Sequence, residues 1–113
     1  MGGKYIMKRL LLLGAVLFIT SSLAFSETTT IGNGLGFKGD LKVVVTTEKD
    51  VITYIKVIEH VDTAKYADGA FGVLIPEILE KQSTDIDSFA GATGTSLGLK
   101  EAVTDALNKQ NFK

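Results

Sequence analysis

Glycine occupies every second position at Gly32, Gly34 and Gly36. An extended chain sends successive side chains to opposite faces, so this spacing leaves one face of a strand bare. A bare face admits a second backbone, a helix or a ligand at close range. The run Gly32–Gly39, with four glycines in eight residues, equally suits a flexible loop. Both readings stand at this level. The residues just before it, Glu27 to Ile31, are threonine-rich and β-prone.

The alternation continues with side chains in place. Leu41, Val43 and Val45 alternate with Lys42, Val44 and Thr46, which marks a strand with one apolar face. Thr47 to Asp50 reads as a turn. Val51 to His60 reads as a second strand, with Val51, Thr53, Ile55, Val57 and Glu59 on one side and Ile52, Tyr54, Lys56, Ile58 and His60 on the other. Two adjacent strands with a short polar connection predict an antiparallel hairpin.

Val61 to Gly72 reads as a connection with helical stretches, interrupted by Gly69 and Gly72. Phe71, Leu74, Ile75, Ile78 and Leu79 then recur at helical spacing. Pro76 falls inside that stripe. Proline suits the first position of a helix, so the pattern predicts a short helical piece before Pro76 and a distinct helix from Pro76 to about Gln82. Asp85 to Phe89 reads as a short extended segment, followed by the small residues Ala90 to Gly94. A last helix is expected from about Ser96 to Gln110, burying Leu99, Ala102, Val103, Ala106 and Leu107 and wetting Lys100, Glu101, Thr104, Asp105 and Lys109. The fold class is α+β, with helices packed on a small antiparallel sheet.

The N-terminal residues have a different character. Lys4, Lys8 and Arg9 precede the continuous apolar run Leu10 to Ile19, and Ala24-Phe25-Ser26 has the small-x-small form of a cleavage site. The apolar run is short for a membrane span, which needs about 20 residues. Residues 1–26 are therefore expected to be a cleaved secretory signal and 27–113 the domain. Cleavage after Ala24, an uncleaved N-terminal anchor and a start at Met7 are the alternatives. A periplasmic or secreted location follows.

Composition then removes several functions. Taking Lys4, Lys8 and Arg9 from 12 basic residues leaves nine against 13 acidic ones, a net charge of −4 with His60 neutral. That balance argues against nucleic acid as a partner, because binding a phosphate backbone needs a basic face. There is no cysteine and a single histidine, so neither disulfides nor a transition-metal cluster is expected. No Ser/His/Asp arrangement stands out by spacing, and no catalytic residue is assigned.

The stretch Ser83–Ser96 carries the chemistry. Small residues permit close approach, and the start of a helix offers unpaired N–H groups and partial positive charge, which suit a phosphate. An ordinary capped helix after a glycine turn has the same composition. Asp87 reads as the cap of a turn, and His60 either lies at the surface or close to a ligand. Phe71, Phe89 and Tyr66 read as core, and Glu77 and Glu80 as a solvated helix face.

Three segments carry a resemblance. Gly36-Phe37-Lys38-Gly39-Asp40-Leu41-Lys42-Val43 resembles the G-[FY]-x-G-x-[IL]-x-V opening of the FMN-binding domain family. His60-Val61-Asp62-Thr63 resembles its H-x-E-T segment. Gln82 to Ser96 resembles its Q-S-x-D-V-D-x-[VI]-S-G-A-T-x-T-S core. The resemblance as a whole covers roughly Thr28 to Leu107. The chain departs from the pattern at Ala90, where Ser or Thr is usual, at Gly94, where an apolar residue is usual, at Asp62 for Glu, and at Ala64-Lys65 for Pro-Gly.

The resemblance implies FMN joined by a phosphoester to Thr93, with Asp87, Gly91, Ala92, Gly94, Thr95, Ser96 and His60 around it. It also implies a flavin transferase that makes the bond outside the cytoplasm from FAD. The expected function is electron transfer between membrane or extracytoplasmic redox proteins, with no substrate turnover of its own. A small flavin-dependent reductase, or a binding module that has lost its flavin, is the alternative.

Overall fold

The computed structural model describes residues 27–110. The segment 1–26, read as a signal peptide, and the last three residues lie outside the described residues. Three strands come first: β1 (Glu27–Leu35), β2 (Asp40–Glu48) and β3 (Val51–His60). Helices α1 (Ala64–Lys81) and α2 (Thr93–Lys109) follow. The strands form an antiparallel meander in the order β1-β2-β3. The expected α+β class and the hairpin are both present.

One face of the sheet carries both helices. Leu41, Val43 and Val45 of β2 and Ile52 and Ile55 of β3 pack with Ala70, Leu74 and Ile78 of α1 and with Leu99, Ala102, Val103 and Ala106 of α2, all at most 5 % exposed. Phe71 and Phe89 pack against this cluster. The opposite face is wet, with Ile31 and Tyr54 about half exposed.

The glycine face of β1 is where α2 lies. A methyl group on Gly32 would strike the carbonyl oxygen of Ala102, and one on Gly34 the carbonyl oxygen of Gly98. Neither obstacle is a side chain that can swing aside, so the bare strand face is a docking face for helix backbone rather than a loop. The outer edge of β1 is covered by the same helix. Asn33 N–H donates to Asp105 (2.9 Å) and Leu35 N–H to Glu101 (2.9 Å), while the Lys109 ammonium donates to the Ile31 carbonyl (3.1 Å). Residues read as a wet face thus occupy an edge strand that would otherwise offer free pairing groups.

Four local expectations are corrected. The strand β3 does not alternate strictly, because its register against β2 shifts between Thr46 and Thr47 and again between Lys42 and Val43. The skipped residues are Thr53 and Ile58, so Ile52, Ile55, Val57 and His60 share the inner side. Next, α1 runs unbroken through Pro76. Gly72, whose carbonyl loses its donor and must clear the proline ring, lies with Pro76 on the exposed side of the helix, away from the core. Third, Asp85–Phe89 pairs with no strand. Last, α2 begins at Thr93 rather than near Ser96.

The hairpin turn is tighter than expected. Lys49 and Asp50 both have positive φ, 52° and 66°, as a two-residue turn matching strand twist requires. Beside this turn, at the same end of β3, Gln82 adopts a left-handed backbone after α1. Its side chain accepts from Ile52 N–H (2.7 Å) and donates to the Ile52 carbonyl (2.9 Å), imitating a neighbouring strand.

Candidate functional site

The site is built at the start of α2. Gly91 has φ 87°, a conformation that favours glycine, and it turns the chain into the helix. Ser96, fully buried, locks this turn: its hydroxyl donates to the Ala92 carbonyl (2.7 Å) and accepts from Phe89 N–H (2.9 Å). Ala92 N–H is bonded to the Phe89 carbonyl (3.0 Å). The leading N–H groups of the helix are therefore those of Thr93, Gly94 and Thr95, the positions that lack partners within a helix. Thr93 is exposed beside them.

A cleft of about 360 Å³ opens over this helix start. It is lined by Gly91, Ala92, Thr93, Gly94 and Thr95 on one side and by Phe37, Asp62, Thr63 and Tyr66 on the other. The second group comes from the β1–β2 loop, from the connection between β3 and α1, and from the first turn of α1.

Asp62 joins these pieces. It is 8 % exposed, and its carboxylate accepts three hydrogen bonds: from the Thr95 hydroxyl (2.6 Å), Lys38 N–H (2.7 Å) and Phe37 N–H (3.0 Å). Burial alone would favour the neutral acid. Those three donors, with the nearby His60 charge, outweigh it and hold the carboxyl below its ordinary value of 3.8. Gly36 sits directly against the same carboxylate. The loop carrying Phe37 is thereby pinned to the first turn of α2.

Phe37 and Tyr66 are the unusual residues of the cleft. Phe37 is 76 % exposed and Tyr66 54 % exposed. Tyr66 was expected in the core and is not there. Its ring lies 5.8 Å from the Lys65 ammonium. Phe37 leans on the backbone of Gly94, where an added methyl would come within 3.0 Å of its Cβ.

Of the residues expected at the site, Gly91, Ala92, Thr93, Gly94 and Thr95 line the cleft together, and Ser96 supports it from beneath. Asp87 is exposed on the preceding loop and does not line it. His60 sits at the end of β3 with its ring edge-on to Phe71, centroids 5.3 Å apart, and is not part of the lining. Phe37, Asp62, Thr63 and Tyr66 complete the cleft without having been singled out as site residues. Phe37 and Asp62 lie within motif segments, but nothing local to them reveals that Phe37 meets Gly94 and Asp62 meets Thr95.

The donor set fits a phosphate ester carrying a planar group. Among the described residues, amides without a partner inside the helix and the exposed Thr93 side chain occur together at a helix start, and exposed aromatic surface stands beside them. Among the described residues no group of acidic, histidine or cysteine side chains is arranged to hold a metal ion.

Two curated relatives show where related domains occur. The chain is 35 % identical over 86 residues to an NADH:acrylate oxidoreductase of Vibrio harveyi, a match covering 76 % of the chain and 9 % of that protein. It is 32 % identical over 85 residues to a urocanate reductase of Eggerthella lenta, covering 75 % of the chain and 14 % of that protein. The chain thus spans only a small part of either relative. Residues 36–108 match the FMN-binding domain family across well over half the sequence, and the chain belongs to that family.

Proposed function

We propose that this domain carries FMN as a phosphoester on Thr93, outside the cytoplasm, and relays electrons between larger redox proteins. One observation supports the reading above others: the exposed Thr93 side chain and the leading amides of α2 share one cleft. On this reading maturation is a phosphoester exchange made by a flavin transferase. The Thr93 Oγ1 would attack the FMN phosphorus of FAD, the pyrophosphate bond would break, AMP would leave, and the hydroxyl proton would pass to the transferase.

When bound, FMN supplies reversible electron uptake and release. The chain's own residues do the rest. The amides of Thr93, Gly94 and Thr95 would hold the phosphate charge, aided by the helix dipole. Ser96 fixes the turn that presents them. The covalent bond makes ring retention intramolecular, which an exported protein needs once its cofactor pool is out of reach. The signal-like segment 1–26 supports an exported location, and N-terminal sequencing of the exported protein tests it.

The two relatives, an oxidoreductase and a reductase, favour a second reading, a flavin-dependent reductase. The domain is a small fraction of each, so a carrier role within larger electron paths fits it better. Co-expression with a flavin transferase, followed by denaturing electrophoresis, tests the proposal. Flavin fluorescence should travel with the wild-type chain and be missing from Thr93→Ala. Turnover of a small acceptor by the isolated holoprotein would favour the reductase.

A further inference from the structure

The geometry assigns Phe37 and Tyr66 as the two walls of an isoalloxazine slot, with Asp62 as the positioning residue that sets it. This inference rests on FMN being held at the start of α2.

Exposed aromatic rings are ordinarily scattered, and here two border the same cleft as the anchor threonine. Neither is loosely placed. The backbone of Phe37 is bonded to Asp62, and its side chain rests on Gly94. Tyr66 lies in the first turn of α1, with its N–H bonded to the Thr63 carbonyl (3.0 Å). The two rings therefore stand on rigid supports while their surfaces stay open to solvent. A planar aromatic ligand tethered at Thr93 recovers that surface by stacking.

Asp62 gives the slot its form. One carboxylate holds the Phe37 loop through two amides and the anchor helix through the Thr95 hydroxyl. Ring wall and phosphate cradle are thus fixed relative to each other by a single side chain. Gly94 contributes by leaving room, since any side chain there would push Phe37 outward.

The test uses the full chain matured with a flavin transferase, reading intact mass, flavin emission and visible circular dichroism on the same samples. Phe37 and Tyr66 are exposed, so the apoproteins of F37A, Y66A and Y66F should keep the wild-type melting temperature, and the intact mass of each matured variant gives the fraction carrying flavin, to which emission and dichroism are scaled. A phenol stacked on a flavin quenches its emission by electron donation. Wild-type emission should therefore be several-fold below that of the same protein unfolded in guanidinium. Y66F should raise emission several-fold and keep the visible dichroism, whereas F37A and Y66A should lose most of it. D62N should weaken the dichroism while keeping the mass gain. Wild-type emission and dichroism in F37A, Y66A and Y66F would overturn the slot and leave the Thr93 anchor standing. A wild-type chain with no mass gain would instead remove the anchor. The slot is then read by adding FMN or riboflavin to the apoprotein, where quenching by wild type but not by Y66A supports it and absence of quenching by wild type overturns it.

Discussion

The Thr95 hydroxyl lies 2.6 Å from the Oδ2 of Asp62, a buried contact between residues 33 apart in sequence. It is the tie between the first turn of α2 and everything on the far side of the cleft. Asn at position 62 has one acceptor oxygen where three donors converge. Asp62→Asn should cost about 2 kcal/mol, in the range for hydrogen bonds to a charged group that is largely buried. Urea unfolding of the two apoproteins measures it. An unchanged midpoint would mean that the three bonds contribute nothing net.

The same carboxylate sets an acid limit. Its folded value lies below the ordinary 3.8, so its stabilising contribution is complete above that value and disappears as pH falls through the lower folded value. The gap in melting temperature between wild type and Asp62→Asn should be constant near neutrality and close below about pH 4. Asp105 is also lowered, first by the Asn33 amide and then by Lys109, but it is solvent-exposed and present in both proteins. It adds a shallow acid slope common to the two curves.

Opposite effects are expected from one substitution at two glycines. Gly34→Ala drives a methyl into the Gly98 carbonyl, between two elements that cannot part locally, and should cost at least about 3 kcal/mol. Gly72 lies within α1 with nothing near its missing side chain, and Gly72→Ala should stabilise by roughly 0.5–1 kcal/mol. Chemical denaturation of both variants checks the pair.

Gln82 is part of a family-like motif yet does not line the cleft. Its work is on the edge of β3, where it bonds both main-chain groups of Ile52. Gln82→Ala should cost about 1–2 kcal/mol by leaving those groups unpaired. Flavin attachment, read by intact mass at a temperature where the variant is folded, should be unchanged.

Much of this architecture is legible from local pattern, and the rest depends on contacts that no local pattern contains. The alternation of Leu41, Val43 and Val45 and the spacing of Leu99, Ala102, Val103 and Ala106 mark their buried faces directly, because each repeats with the period of its element. The bulges at Thr53 and Ile58 are invisible to alternation, since cross-strand register decides them. Pro76 points to a helix boundary that does not exist, because whether a proline breaks a helix depends on where the freed carbonyl faces. The small residues from Gly91 to Gly94 reveal half of the cleft. Its other half, Phe37, Asp62 and Tyr66, is assembled by the meander and by α1, and an exposed Tyr66 reads in isolation like any amphipathic helix residue.

The most direct test of the central claim is the intact mass of the wild-type and Thr93→Ala chains, each produced with a flavin transferase and measured after unfolding. The account predicts a wild-type chain heavier by one FMN less one water, and a Thr93→Ala chain, folded with the melting temperature of the wild-type apoprotein, at its unmodified mass. A wild-type chain at its unmodified mass, or the same gain in Thr93→Ala, would contradict it.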